Sequence, residues 1–258
     1  MTDLPEPRRR VRLLVAYDGA GFSGFARNEG VVTVEGTLGE RLARVLGAPV
    51  DLAVAGRTDK GVHARGQVVT FDAPADADLD RLLRSVNSMG DGEVVVRTAE
   101  FVAPDHHARF SAMWRRYRYT VDNGAVADPF LRSFAWWIPD RLSVDDMNEG
   151  AAHLIGEHDF SAFCRRPKPV PGAQIEPTLV REVSEASWTR EGDDLVIFEI
   201  RAGAFCHQMV RSIVGALVDV GRGRLAPADV AEILASRDRQ RVPNLAVPHG
   251  LCLDEVGY

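Results

Sequence analysis

Val50-Asp51-Leu52-Ala53-Val54, then a loop, then Gln67-Val68-Val69-Thr70-Phe71, is the pattern from which the rest of the chain can be read. Both flanks alternate apolar and polar residues, as half-buried strands do. Between them, Ala55-Gly56-Arg57-Thr58-Asp59-Lys60-Gly61-Val62-His63-Ala64-Arg65 is eleven residues with two glycines and five ionisable side chains. A plain hairpin needs only about two to five loop residues. A longer, charged loop carried on two strands is where function tends to concentrate. Gly56 and Gly61 would let the backbone reach positive φ or approach a ligand closely. Asp59 lies between Arg57 and Lys60, a carboxylate held among cations. Such a group can act as a nucleophile or face a developing cation; equally, it can cap a turn and pair with arginine at the surface.

Working outward, Arg10–Tyr17 alternates as a first strand, and Gly21-Phe22-Ser23-Gly24-Phe25 is a Gly-rich aromatic loop. Val34, Leu38, Leu42, Val45 and Leu46 form a helical stripe over Thr33–Leu46. Leu79, Leu82, Leu83 and Val86 form a second, and Glu93–Phe101 reads as a strand. The first hundred residues thus give β, α, β, β, α, β, which predicts an α+β unit with an antiparallel-rich sheet. Trp114–Val121 reads as a strand with Arg116, Arg118 and Thr120 on one face and Arg115, Tyr117 and Tyr119 on the other. Aromatics and arginines together suit base stacking and phosphate binding, or a sheet edge with half-buried tyrosines. Ser143 caps a predicted helix running to about Ile155. Arg165–Pro177, with four prolines, reads as a mobile loop. Thr178–Arg190 and Asp194–Ala202 are predicted strands. Phe205 opens an apolar helix to about Val220, whose Met209, Ile213, Ala216 and Val220 would face a sheet. Arg211 in the middle of it calls for a carboxylate partner, because an unpaired buried cation is costly. Pro227 fits N1 of a last short helix.

At 258 residues the chain can bury a full core, and 45% hydrophobic with 26% charged residues is ordinary for a globular protein. There is no run of about 18 apolar residues to span a bilayer, and no apolar stretch follows the charged N-terminus as a secretory signal requires. Cys164, Cys206 and Cys252 are odd in number and widely spaced, which argues against a disulfide framework or a zinc site and suits a reducing cytoplasm. His106 and His107 are adjacent and so point apart in either regular structure, which argues against metal. The net charge of −6 is unusual for a nucleic-acid binder, so any such role must rest on local patches. Arg8-Arg9-Arg10 with Arg12, Arg115-Arg116 with Arg118, Arg165-Arg166 with Lys168, and Arg222 with Arg224 are candidate phosphate contacts.

The string Gly56-Arg57-Thr58-Asp59-Lys60-Gly61-Val62-His63-Ala64 resembles the catalytic loop of the TruA-type tRNA pseudouridine synthases. Other segments follow in that family's order: His107–Phe110, Arg115-Arg116-Tyr117-Arg118-Tyr119, Gly156–Phe163, Met209-Val210-Arg211 and the closing Gly250-Leu251-Cys252-Leu253. The resemblance covers about residues 11–256. Phe25 stands where the family usually has tryptophan, and Gly203-Ala204-Phe205 where it has N-A-F.

What the resemblance implies is specific. Asp59 would be the catalytic residue, with Arg211 paired to it. Tyr117 and Leu251 would lie against the target base, and Arg57 would fill the vacated stack or hold the phosphate backbone. The fold would be two α/β halves, 1–108 with the catalytic loop and 109–258. Their mostly antiparallel sheets would meet across a central cleft, with helices outside. The protein would be a cytoplasmic homodimer acting on tRNA, in the anticodon stem-loop at positions 38 to 40. Converting uridine to pseudouridine conserves atoms and oxidation state, so no cofactor is called for. Two alternatives stay open: a non-catalytic tRNA-binding or folding protein with a vestigial site, and an unrelated hydrolase using Asp59 on a small substrate.

Overall fold

The computed structural model describes residues 7–166, 178–242 and 244–258. The predicted loop Arg165–Pro177, and Lys168 with it, falls largely outside them. The elements run β1 (Arg8–Tyr17), α1 (Val34–Leu46), β2 (Ala53–Val54), β3 (His63–Pro74), α2 (Leu79–Asn87), β4 (Val94–Phe101) and β5 (Trp114–Asp122). They continue as β6 (Trp136–Trp137), α3 (Val144–Ala152), β7 (Gly156–Asp159), β8 (Val180–Glu191), β9 (Leu195–Ala202), α4 (Met209–Gly221), α5 (Asp229–Ser236) and β10 (Leu251–Gly257). The chain is α+β, with its strands mostly antiparallel.

It divides into two compact units, Met1–Met113 with Leu253–Tyr258, and Trp114–Cys252. The boundary falls after Met113 rather than Ala108, and the last strand returns to the first unit from Leu253 onward.

In the first unit the strand order is β4-β1-β3-β10, with β2 pairing β3 on the edge away from β1. The alternation in β1 works as the sequence implies: Val11, Leu13 and Val15 are fully buried while their neighbours are not. α1 packs on α2, and α2 on β4. Thr33 Oγ1 accepts from Gly36 N and Asp78 Oδ1 from Arg81 N, so both helices start at capping side chains. The strand expected at Val50 begins only at Ala53, and β3 begins at His63 rather than Gln67. Burial of His63 explains the second shift: its Nδ1 accepts from Gly19 N at 2.9 Å, and Ala64 pairs with Tyr17.

His106 sits in this unit with its ring 4.7 Å from that of Tyr258, and its Nε2 has no hydrogen-bond partner. Burial, and then the Arg12 charge, hold its pKa below the ordinary histidine value, with Asp105 and Glu100 pulling the other way. The unfolded chain would take up this proton at about pH 6.5, while the folded chain resists it. Stability is therefore full above about 6.5 and declines as pH falls through that value toward the folded pKa. Thermal unfolding of His106→Gln is expected to show a smaller drop in midpoint between about pH 7 and pH 5 than the parent shows. Equal drops would assign the dependence to other groups.

In the second unit the order is β5-β9-β8-β7, all antiparallel, with β6 parallel to the other side of β5. Ser143 caps α3 through Asp146 N, and the helix ends at Ala152, before the expected Ile155. α4 starts at Met209, later than the sequence predicts. Gln208 before it takes φ +64°, a left-handed conformation rare outside glycine, and this keeps Phe205–Gln208 out of the helix. Every residue of α4 except Arg211 is buried, not only the four expected to face a sheet. Pro227 lies two residues before α5 rather than inside its first turn, and Asp229 accepts from Ala226 N at the entry.

Cys164 and Cys206 are joined as a disulfide with Cα atoms 5.8 Å apart, which corrects the expectation from cysteine spacing. Forty-two residues separate them in sequence. What unites them is packing: Arg165 N donates to His207 O beside the pair.

Candidate active site

The loop after β2 is tighter than its sequence suggests. Ala55 N donates to Val68 O, which keeps the entry in register with β3. Tyr17, on the buried face at the end of β1, has its hydroxyl 2.7 Å from Thr58 Oγ1. Gln67 Nε2 donates to that hydroxyl at 3.2 Å and to Gly56 O at 2.7 Å. From the other side Phe25 N donates to Thr58 O, and Val62 N closes a turn on Asp59 O. Gly61 has φ +77°, which the turn requires; Gly56 does not take positive φ. Gly19 allows close approach, since a Cβ there would lie 2.1 Å from Val62 O. The outcome is a clamped loop in which Arg57 is exposed and Asp59 half-buried.

The other candidates lie in the second unit. Tyr117 is 8% exposed and meets the ring of Phe205 edge-on at 5.1 Å. Arg211 Nε donates to Ala246 O at 2.7 Å, and Ala246 N donates to Arg211 O. Tyr119 donates to Val247 O at 2.8 Å; burial raises its pKa, and the nearby Arg211 charge opposes this. Gly250 lies against the Tyr119 ring, and Leu251, 6% exposed, follows it. One segment, Asn244 to Leu251, thus ties Arg211 on α4 to the tyrosine face of β5. Asp59 and Arg57 belong to the first unit, and Tyr117, Arg211 and Leu251 to the second.

The arginine clusters are less available than their sequence implies. Arg10 pairs with Asp72, Arg12 with Glu100, Arg118 with Glu191 and Arg222 with Asp140. Arg116 and Arg201 share Glu185 and flank the Trp114 ring. Exposed pairs like these are worth only about 0–1 kcal/mol each, so a phosphate could displace the carboxylate. Arg115 is buried on the tyrosine face and donates to Gly203 O. Phe25 is fully buried, 6.2 Å from Tyr17.

Tyr17 and Gln67 were not among the residues predicted for the site. The signal was present: Gln67 shares a strand face with Val69 and Phe71, where an amide is out of place unless its hydrogens have partners.

Residues 151–258 match the family model described as tRNA pseudouridine synthase. A tRNA pseudouridine synthase A from Leifsonia xyli is 40% identical, over 96% of this chain and 91% of that protein. Proteins of the same name from Brevibacillus brevis and Streptomyces avermitilis are 40% and 42% identical, over 97% and 96% of this chain and 100% and 88% of their own lengths. The chain belongs to the tRNA pseudouridine synthase A family.

Proposed function

We propose that this protein isomerises uridine to pseudouridine in the anticodon stem-loop of tRNA, at positions 38 to 40, with Asp59 as the catalytic residue. The observation that carries the reading is the loop Gly56–Ala64, whose half-buried Asp59 sits in a hydrogen-bonded frame. Full-length likeness to relatives named for this activity supports it.

The reaction breaks the N1–C1′ bond, turns the uracil and joins C5 to C1′. The C5 proton leaves and N1 gains one, so atoms and electrons balance without a cofactor. The target base must leave its stack, at a cost of a few kcal/mol. Tyr117 and Leu251 return part of that by stacking and apolar contact, and Arg57 takes the vacated space or a backbone phosphate. Asp59 supplies its carboxylate, either by covalent addition to ribose or base or by taking a ribose proton. Tyr117 is the candidate for removing the C5 proton, and Phe205 meets its ring edge-on. Arg211 takes part in this scheme as the family resemblance implies.

The same reading makes the protein a cytoplasmic homodimer. No helix among the described residues is long and apolar enough to cross a membrane.

Tritium release from tRNA carrying C5-labelled uridine separates the enzyme from a non-catalytic binder. Release at a rate proportional to protein is expected. Tight tRNA binding without release would favour the binding protein.

A further inference from the structure

We propose that Gln67 is a positioning residue for Asp59, acting with Tyr17 through the backbone on either side of it; this rests on the reading of Asp59 as catalytic. Gln67 is fully buried on the inward face of β3. Both hydrogens of its amide nitrogen are used, one on Gly56 O and one on the Tyr17 hydroxyl, while its oxygen accepts from Val68 N. The Gly56 carbonyl needs a donor, which fixes the amide orientation. Tyr17 accepts from Gln67, and its hydroxyl shares a 2.7 Å hydrogen bond with Thr58 Oγ1, one residue before Asp59. The Thr58 carbonyl is held from the opposite side by Phe25 N, and Gly24 packs so close that a Cβ would lie 3.0 Å from it.

Residues 56 and 58 are therefore pinned through their polar atoms, and Asp59 is bracketed between Thr58 and the turn closed by Val62. Packing alone does not ask for this. An apolar side chain would fill the volume of Gln67 without the desolvation cost of an amide. A completed buried network instead fixes geometry, and a shift of about 1 Å at a reacting group can cost on the order of 100-fold in rate.

The test uses Gln67→Met, which keeps the length of the side chain and removes both donors, and Tyr17→Phe, which removes one oxygen. Asp59→Ala runs beside them. Single-turnover conversion of tRNA at saturating enzyme and the Kd for tRNA are measured well below each variant's unfolding midpoint. Expected are rates down about 10- to 100-fold for Gln67→Met and about 10-fold for Tyr17→Phe, each with Kd within about 3-fold of the parent. A merely structural role would leave the rate of the folded fraction unchanged. Parental rates in both variants, with Asp59→Ala inactive, would overturn the proposal and leave the catalytic assignment standing. An active Asp59→Ala would remove the assignment itself. If Gln67→Met does not fold, Tyr17→Phe decides by the same criterion.

Discussion

Asp59→Asn is expected to lose at least about 10⁴-fold in single-turnover conversion, the scale seen when a reacting side chain is removed. That is roughly 5 kcal/mol of transition-state stabilisation. The substitution keeps shape, exchanges one acceptor oxygen for an NH2 donor and removes the charge, so the backbone bonds of the loop should hold. Its frame depends on Gly56 O, the Thr58 hydroxyl and carbonyl, and Asp59 O, none of which the change touches. Affinity for tRNA should stay within about 3-fold and lean toward tighter binding, because one negative charge leaves a surface that meets a polyanion. A rate close to the parent's would sink the assignment. A matching collapse of affinity would show that the residue acts in binding instead.

Gly215→Ala should destabilise the protein strongly, although it adds only one methyl group. Propensity alone predicts the reverse, since alanine is favoured over glycine in a helix by about 1 kcal/mol. In α4, however, a Cβ at 215 would lie 2.1 Å from Asn244 O and 2.8 Å from its carbonyl carbon. Backbone, not a flexible side-chain end, must move. Overpacking of this kind costs about 1–3 kcal/mol and sometimes more, so the net loss should be about 2 kcal/mol. For a chain of this size that is a fall of about 4–8 °C in midpoint. The displaced segment also anchors Arg211 through Ala246, so activity of the folded fraction should drop as well. Gly39→Ala in α1 is the control. Its Cβ would meet only the end of Arg27 at 3.4 Å and Leu52 at 3.9 Å, so it should be neutral or slightly stabilising. Equal midpoints for the two variants would refute the clash argument.

Local patterns in the chain were legible because local physics produces them. Burial alternation marked β1, the apolar stripe from Val34 marked α1, and a side-chain cap at Ser143 marked the start of α3. The long charged loop was recognisable as a place for chemistry, and the two faces of β5 fell as alternation requires. What stayed hidden depends on distant partners. The late start of α4 follows from the left-handed Gln208, which no propensity marks. The Cys164–Cys206 pairing spans elements far apart in sequence. Gln67 could be read as an amide on the face of Val69 and Phe71, but its partner could not; its meaning comes from Tyr17, fifty residues earlier. The ion pairs of the arginine clusters stayed hidden for the same reason, since their carboxylates sit on other elements.

The central claim is that the carboxylate at position 59 turns uridine into pseudouridine in tRNA. Its most direct measurement is site-by-site mapping of pseudouridine in unmodified tRNA transcripts incubated with the purified protein or its Asp59→Asn variant. The account predicts new pseudouridine at one or more of positions 38 to 40 with the parent and none with the variant. No new pseudouridine with the parent, or the same pattern from both proteins, would contradict it.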